Sequence, residues 1–424
     1  MDPVLVTMFW VLIVGLALTL HIGAAIGLSV LAAIYMGNLP YALFTQKLYT
    51  TFDSFPLLAL PFFICTGDIM QRGSMAESLL KLAKTLVGHI TGGLSLVSVL
   101  ACAFYGSLCG SPPATTAAIG GIMIPAMQKE GYPRSFSTAV NTASGTLGAL
   151  IPPSTVLIIY GATAGVSIGD LFIAVIPTGI LTMLVFMGAS MFISARQGYG
   201  LKTVRARAKE RLAAVWEAKW ALMVPVIVLG GIYTGITTPT EAGVVAVVYA
   251  LLAETFITKT MTWKKFQEIL FSTVKTTGMM FFVITAAGAL GIILVYFNAD
   301  VVVADLLSGI TTNKHILMFL VVTLLIILGT FMESVAIVLI MTPILLPIMI
   351  QVGMDPIQFG ILMGYGVVLG NITPPVGMNL YVGCAIGNIS FAQLSKAVLP
   401  YIVSMVVVYY LIVYVPWLSL CLVR

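Results

Sequence analysis

The chain has 424 residues, of which 60% are hydrophobic and 8% charged, with a formal net charge of +5, and its mean hydropathy is +1.09. A soluble domain carries about 25% charged residues, and no water-soluble fold of this length could bury so much apolar surface. Composition therefore excludes a soluble enzyme or nucleic-acid-binding protein and predicts an all-α, multi-pass chain with the lipid bilayer as solvent.

In chain order, residues 4–36 form an apolar stretch longer than one crossing, with small residues near Gly23 and Gly27. It is either tilted or in two pieces. It lacks a basic leader and a small-residue cleavage site, so it reads as retained in the membrane. Further spans, each near the roughly 20 residues a crossing helix needs, are predicted at 54–70, 170–194, 220–236, 240–257, 266–297 and 397–420. Four other apolar stretches, 91–128, 135–166, 314–351 and 357–387, are interrupted in the middle by glycine or proline. The segment 196–219 holds Arg196, Lys202, Arg205, Arg207, Lys209, Arg211 and Lys219. Positive charge places it in the cytoplasm, as a surface amphipathic helix or a solvated loop.

Crossings can be counted from that anchor. Let 91–128 and 314–351 be re-entrant hairpins that return to the side they entered, and let 135–166 and 357–387 be broken helices that cross. Then 17 of the 20 basic residues face the cytoplasm, and only Lys47, Lys314 and Arg424 fall outside.

An internal repeat supports the same scheme. Aligned without gaps, 125–165 and 347–387 share nine identities, among them Pro125/Pro347, Gly131/Gly353, Gly148/Gly370, Pro152/Pro374, Pro153/Pro375 and Gly161/Gly383. One residue of extra offset then matches Ser167 with Ser390 and Pro177 with Pro400. The chain divides into a first repeat at 1–195, a basic linker or surface helix at 196–219 and a second repeat at 220–424. The first hairpin opens from the cytoplasm and the second from outside, so the repeats are inverted, an architecture of many secondary transporters.

The chemistry is expected at four interruptions, 106–116 and 145–154 in the first repeat and 329–334 and 366–375 in the second. Proline removes a backbone donor and disfavours helix at the residue before it. Unwound backbone in hydrocarbon costs several kcal/mol per unsatisfied group and survives only where protein, water or ions complete it. The carbonyl end of a half-helix can bind Na⁺, and the N–H end favours an anion. Glu333, at the second hairpin tip, is a candidate carboxylate or a water-facing one; Asp68, followed by Gln71 and Arg72, reads as a rim residue. Glu241 reads as a helix N-terminal charge. His21, His89 and His315 have no ligand spacing, the five cysteines form no CxxC pair, and Gly92, Gly93, Gly120 and Gly121 suggest close packing. Walker, HExxH and GxSxG motifs are absent, so the energy must come from an ion gradient or another chain.

The segments GSLCGSPPATTAAIGG (106–121), IPAM (124–127), GYPR (131–134), ALIPPS (149–154), TPILLP (342–347) and NITPPVG (371–377) stand in this order along the chain. Together, and over essentially its whole length, the sequence resembles the large membrane subunit of the tripartite ATP-independent periplasmic (TRAP) transporters, the DctM/SiaM-like family. The resemblance implies a multi-pass protein of the bacterial inner membrane with an elevator-type transport domain, holding both hairpins and both broken helices, that slides against a scaffold domain. It implies Na⁺-coupled symport of an organic anion such as sialic acid or a C4-dicarboxylate. It also implies two partners, a soluble periplasmic substrate-binding protein and a small four-helix membrane subunit, the latter expected as a separate chain.

Carried over residue by residue, the resemblance implies one Na⁺ site at Ser107, Gly110, Gly145 and Gly148, and another at Gly329, Gly370, Thr373 and Val376. Substrate is expected between the hairpin tips, near Ser111, Pro112, Thr115, Asn141, Ser334 and Asn379. Where many dicarboxylate-type members carry small and acidic residues, this chain has Ser-Pro-Pro-Ala-Thr-Thr at 111–116, which points toward a sialic acid-like or other polyhydroxylated acid. The alternatives are a self-sufficient ion-coupled organic anion carrier without a binding protein and a passive channel.

Overall fold

A computed structural model gives the structure of residues 2–200, 205–299, 301–303, 311 and 313–424. Helices and their connections make up all the described residues, as lipid requires of any spanning backbone that is not a closed barrel. The stretch 4–36 is two helices, α1 (Pro3–Ala17) and α2 (Ile22–Met36). Then α3 (Ala42–Phe52) is bent by 54° from the helical run Phe55–Arg72, whose α-helical part is α4 (Ala59–Arg72). Gln46, Lys47 and three threonines in α3 hide this companion helix from a hydropathy reading.

After α5 (Met75–Val87), α6 (Gly93–Cys109) and α7 (Pro112–Lys129) are the arms of the first hairpin. The first broken helix is α8 (Arg134–Gly145), α9 (Leu147–Leu150) and α10 (Thr155–Ala164). There follow α11 (Ile168–Gln197), α12 (Ala208–Tyr233), α13 (Pro239–Leu252) with a π-helical turn at its end, and α14 (Trp263–Tyr296). The second hairpin is α15 (Lys314–Phe331) and α16 (Ser334–Gln351), and the second broken helix is α17 (Pro356–Gly370) and α18 (Met378–Gly387). The chain closes with α19 (Phe391–Tyr414) and α20 (Trp417–Leu420). Pro3, Pro112, Pro239 and Pro356 sit in the first turn of their helices, where the missing N–H has no intrahelical partner to lose.

The basic segment 196–219 is neither a separate surface helix nor wholly a loop. α11 runs through Arg196 and closes on Gly198 in the left-handed region. From Ala208 the chain is already α12, which carries Lys209, Arg211 and Lys219 straight into the next span. Its start is fixed by the Arg207 amide donating to Glu210 Oε2 (2.8 Å). The Lys219 ammonium lies 3.2 Å from the centre of the Trp216 ring, a cation held at the membrane edge. Lys202 lies outside the described residues.

The crossing scheme is visible in who meets whom. The ion pairs Arg72–Glu268 (3.1 Å), Lys81–Glu217 (2.5 Å) and Arg424–Asp355 (2.5 Å) each join residues assigned to one side. Lys81 precedes the first hairpin and Glu217 follows it by two crossings, so that hairpin returns to its own side. Tyr414 Oη donates to the His315 carbonyl (3.1 Å) and constrains the second hairpin in the same way. Both tips stop beside the breaks of the long helices: Thr155 Oγ1 donates to the Gly110 carbonyl (3.0 Å) and the Gly377 amide to the Thr330 carbonyl (2.9 Å). Among the described residues, five apolar spans, from Arg134–Ala164 to Trp263–Tyr296, lie between the hairpins, an odd number that fits bases on opposite faces.

The repeats also exchange contacts. α7 packs on α18 while α16 packs on α10, and α8 meets α18 while α17 meets α10. Asn379 Nδ2 donates to the Thr142 carbonyl (2.8 Å). At the equivalent place Leu157 abuts Gly364, and the alignment pairs Thr142 with Gly364 and Leu157 with Asn379. Reciprocal contacts of this kind define a two-fold interface. Ser167 and Ser390 both cap their helices, accepting from the amides of Asp170 (3.2 Å) and Gln393 (3.3 Å).

Two groups of helices can be drawn, α1–α5 with α12–α14 and α6–α11 with α15–α20, joined across their boundary chiefly by α5 on α6 and α14 on α16. Within the first group Glu254, fully buried, joins the end of α13 to the α4–α5 elbow. Its Oε1 accepts from the amides of Ser74 (2.9 Å) and Met75 (3.1 Å), and its Oε2 from the hydroxyls of Thr258 (2.5 Å) and Thr260. Glu254→Ala would strand those donors, so stability should fall by about 3 kcal/mol. Thermal unfolding of the purified protein checks this; an unchanged midpoint would contradict it.

Candidate functional site

Each hairpin tip sets backbone carbonyls against the break of a long helix. In the first, Gly110 closes α6 with φ 62° and its Cβ position would lie 2.7 Å from the Pro153 carbonyl oxygen, so only glycine fits. Ser111 is extended, and Pro112 opens α7. The Ser111 carbonyl accepts from Thr115 N (3.0 Å) and Thr115 Oγ1 (2.9 Å). It lies 2.9 Å from where a Cβ on Gly148 would stand, and the Pro112 carbonyl lies 3.2 Å from the same point on Gly145. The tip carbonyls thus face the end of α8 and α9 across two glycines, with the Thr115 hydroxyl against Gly148 and the Thr116 hydroxyl against Gly145. Thr116 Oγ1, also against Gly145, is buried and has no hydrogen-bond partner.

In the second tip Glu333 caps α16, its Oε2 accepting from the amides of Val335 (3.1 Å) and Ala336 (3.4 Å). Gly377 turns with φ 54°, and a Cβ there would lie 2.9 and 3.0 Å from the Thr373 and Asn371 carbonyl oxygens, so only glycine fits; the Asn371 carbonyl accepts from the Asn379 amide (2.9 Å). Thr373 Oγ1 donates to the Leu369 carbonyl (2.8 Å), and Asn371 Nδ2 donates to Ser334 Oγ (3.0 Å). Asn371 Oδ1 is buried and accepts nothing. An unpaired buried amide oxygen is costly and calls for a cation or a water. No cluster of three His, Cys, Asp or Glu side chains that could hold a metal exists among the described residues. Neutral carbonyl, amide and hydroxyl oxygens suit a hard alkali cation and not a transition metal.

Residues 6–418 match the family model for the tripartite ATP-independent periplasmic transporter, DctM component. The chain belongs to this family. It is therefore a multi-pass membrane protein, the large permease subunit of a TRAP transporter. It is 41% identical over 405 residues to the isethionate TRAP transporter permease protein DctMQ of Oleidesulfovibrio alaskensis, covering 96% of this chain and 63% of that one. It is 35% identical to the C4-dicarboxylate TRAP transporter large permease protein DctM of Rhodobacter capsulatus, covering 97% of each chain. It is 37% identical to the sialic acid TRAP transporter large permease protein SiaM of Vibrio cholerae, covering 89% of this chain and 88% of that one. In fold it resembles the crystal structure of the Alcanivorax borkumensis YdaH transporter, with a TM-score of 0.62 at 16% identity over 89% of this chain and 88% of that one.

Within the permease, the structure brings Gly110, Gly145 and Gly148 to the first tip and Gly329, Gly370 and Thr373 to the second. Val376 lies in the segment between α17 and α18. Ser107 turns its hydroxyl back to the Phe104 carbonyl (2.7 Å). The helix breaks are narrower than the sequence suggests: α17 runs unbroken through Gly366 to Gly370, Thr146 is a single turn residue between α8 and α9, and the extended or irregular segments are 151–154 and 371–377. Proline, not glycine, forces the break, because glycine keeps its N–H. Gly121 is exposed, and a Cβ there would meet nothing within 4 Å, so close packing does not require glycine.

Of the residues expected near substrate, Ser111 and Pro112 form the first tip and Ser334 starts the second arm of the other. Thr115 faces inward, 3.1 Å from Cys109 Sγ. Asn379 Oδ1 is buried with no partner, while its amide nitrogen bridges to the other repeat at Thr142. Asn141 is taken up within the first hairpin: Nδ2 donates to the Thr116 carbonyl (2.9 Å), and Oδ1 accepts from Ser98 (3.4 Å) and Cys102 (3.7 Å). Asn141→Ala should cost about 2 kcal/mol of stability, read as a lower unfolding midpoint. Asn371 was not singled out from sequence, although it opens the 371–377 motif; its unpaired oxygen shows only in three dimensions.

Proposed function

We propose that this permease carries a small organic anion from the periplasm across the bacterial inner membrane, coupled to Na⁺, by an elevator movement. A soluble binding protein delivers the substrate, and a small four-helix membrane subunit binds alongside. The observation that carries this reading is the pair of symmetry-related tips, where carbonyl oxygens gather beside the unpaired Asn371 Oδ1. Na⁺ held there, by Gly110, Gly145 and Gly148 at one tip and Gly329, Gly370, Asn371 and Thr373 at the other, would neutralise those oxygens and let an anion dock between the tips. The elevator reading is supported by the two helix groups, since all four discontinuous elements belong to one of them. Inverted repeats supply two related states, one open to each side.

The cargo is a small organic acid. The relatives are named for isethionate, C4-dicarboxylates and sialic acid, which share an anionic acid group and differ in everything else. The test is uptake into vesicles that hold the permease and its small subunit, with and without the binding protein. Uptake only in its presence is expected. Equal uptake without it would make the chain a self-sufficient carrier.

A further inference from the structure

A cavity of about 390 Å³ opens between the two helix groups on the outer side, within the roughly 300–1,000 Å³ of small-molecule sites. Its walls are α3 and α14 on one side and α10 and α16 on the other. Lys47 reaches its lining together with Thr51 and Ser54, and no Asp or Glu among the described residues lines it. Lys47 is one of the three basic residues that the crossing scheme assigns to the outer side. Arg424 is neutralised by Asp355 (2.5 Å) and Lys314 is exposed at the start of α15, whereas Lys47 is half-buried and has no ion pair among the described residues.

A half-buried cation between low-dielectric walls focuses its field on the cavity, and hydroxyls beside it donate to carboxylate or sulfonate oxygens. A Cβ on Gly288 would run into Thr51, but one turn further along α14 a Cβ on Gly291 would meet nothing within 4 Å, so that position borders open space.

We propose that this cavity is a vestibule that receives the substrate's acid group before it reaches the hairpin tips, with Lys47 as its anion-holding residue. The proposal rests on the transport reading above. In the vesicle assay, with isethionate, succinate or N-acetylneuraminate as probe, Lys47→Gln should raise the half-saturating concentration about tenfold with the Na⁺ dependence unchanged. Lys47→Arg should keep most of the affinity. Gly291→Leu, which fills the space without crowding the helix, should mimic Lys47→Gln.

Acylation of Lys47 by a water-soluble amine reagent, read by mass spectrometry, gives a readout that needs no transport. Millimolar concentrations of the probe acid that the wild type takes up should slow labelling of Lys47 several-fold and leave exposed Lys314 unaffected. Labelling of Lys47 that none of the three acids slows would overturn the vestibule, as would a Lys47→Gln variant with unchanged half-saturation. Wild-type vesicles that take up none of the three acids, while Lys47 is still protected, would leave the vestibule standing and overturn the transport reading instead.

Discussion

Gly370→Ala is expected to abolish transport and to lower stability by about 3 kcal/mol, at the upper end of overpacking costs. The added carbon would land on the Gly329 carbonyl, backbone against backbone, with no flexible side chain to yield. The second hairpin would have to move off the broken helix, breaking the bonds from the Gly377 amide to the Thr330 carbonyl and from Asn371 Nδ2 to Ser334 Oγ. The first repeat has the same contact: a Cβ on Gly106 would lie 2.6 Å from Gly148 Cα, so Gly106→Ala should behave alike. Gly121→Ala is the control. That helical position is open, and alanine there should be neutral or up to about 1 kcal/mol stabilising. Unfolding midpoints and uptake rates measured on all three variants check the set, and a Gly370→Ala protein with normal uptake would refute the tip contact.

Asn371→Ala should raise the Na⁺ concentration needed for half-maximal uptake by tenfold or more, about 1.4 kcal/mol or above, with a smaller effect on folding. Its Oδ1 accepts no hydrogen bond in the protein, so removing it strands no donor. The other loss is the bond to Ser334, worth about 1 kcal/mol. Thr373→Val should act in the same direction, because the hydroxyl bonded to Leu369 is spent as a donor and keeps its lone pairs. A well-expressed Thr373→Val permease with unchanged Na⁺ dependence would show that the ion sits elsewhere.

Much of this fold was legible because lipid leaves the backbone few options. The Pro152-Pro153 and Pro374-Pro375 pairs marked both helix breaks, and the basic residues ordered the crossings. α3 was not legible, since Lys47, Gln46 and its threonines dilute the apolar signal of a helix that lines a cavity. The split of 4–36 was one of two readings its length allowed, and the structure takes it at Thr19, which adopts a positive φ with no glycine or proline in the turn. Glu254 gave no sign because its function, capping α5 from another helix, depends on a contact 180 residues away. The site was legible as motifs but not as roles. Asn141 and Asn371 look alike in sequence, yet one is saturated by its own hairpin and the other leaves an oxygen unpaired.

Ion coupling through the two tips is tested most directly by uptake of a labelled organic acid into vesicles holding the permease, its small subunit and excess loaded binding protein, with the Na⁺ gradient as the only variable. An inward gradient should drive saturable accumulation above the external concentration, and collapse of that gradient should stop it. Flux that ignores the gradient and never saturates would contradict the account and make the chain a passive channel.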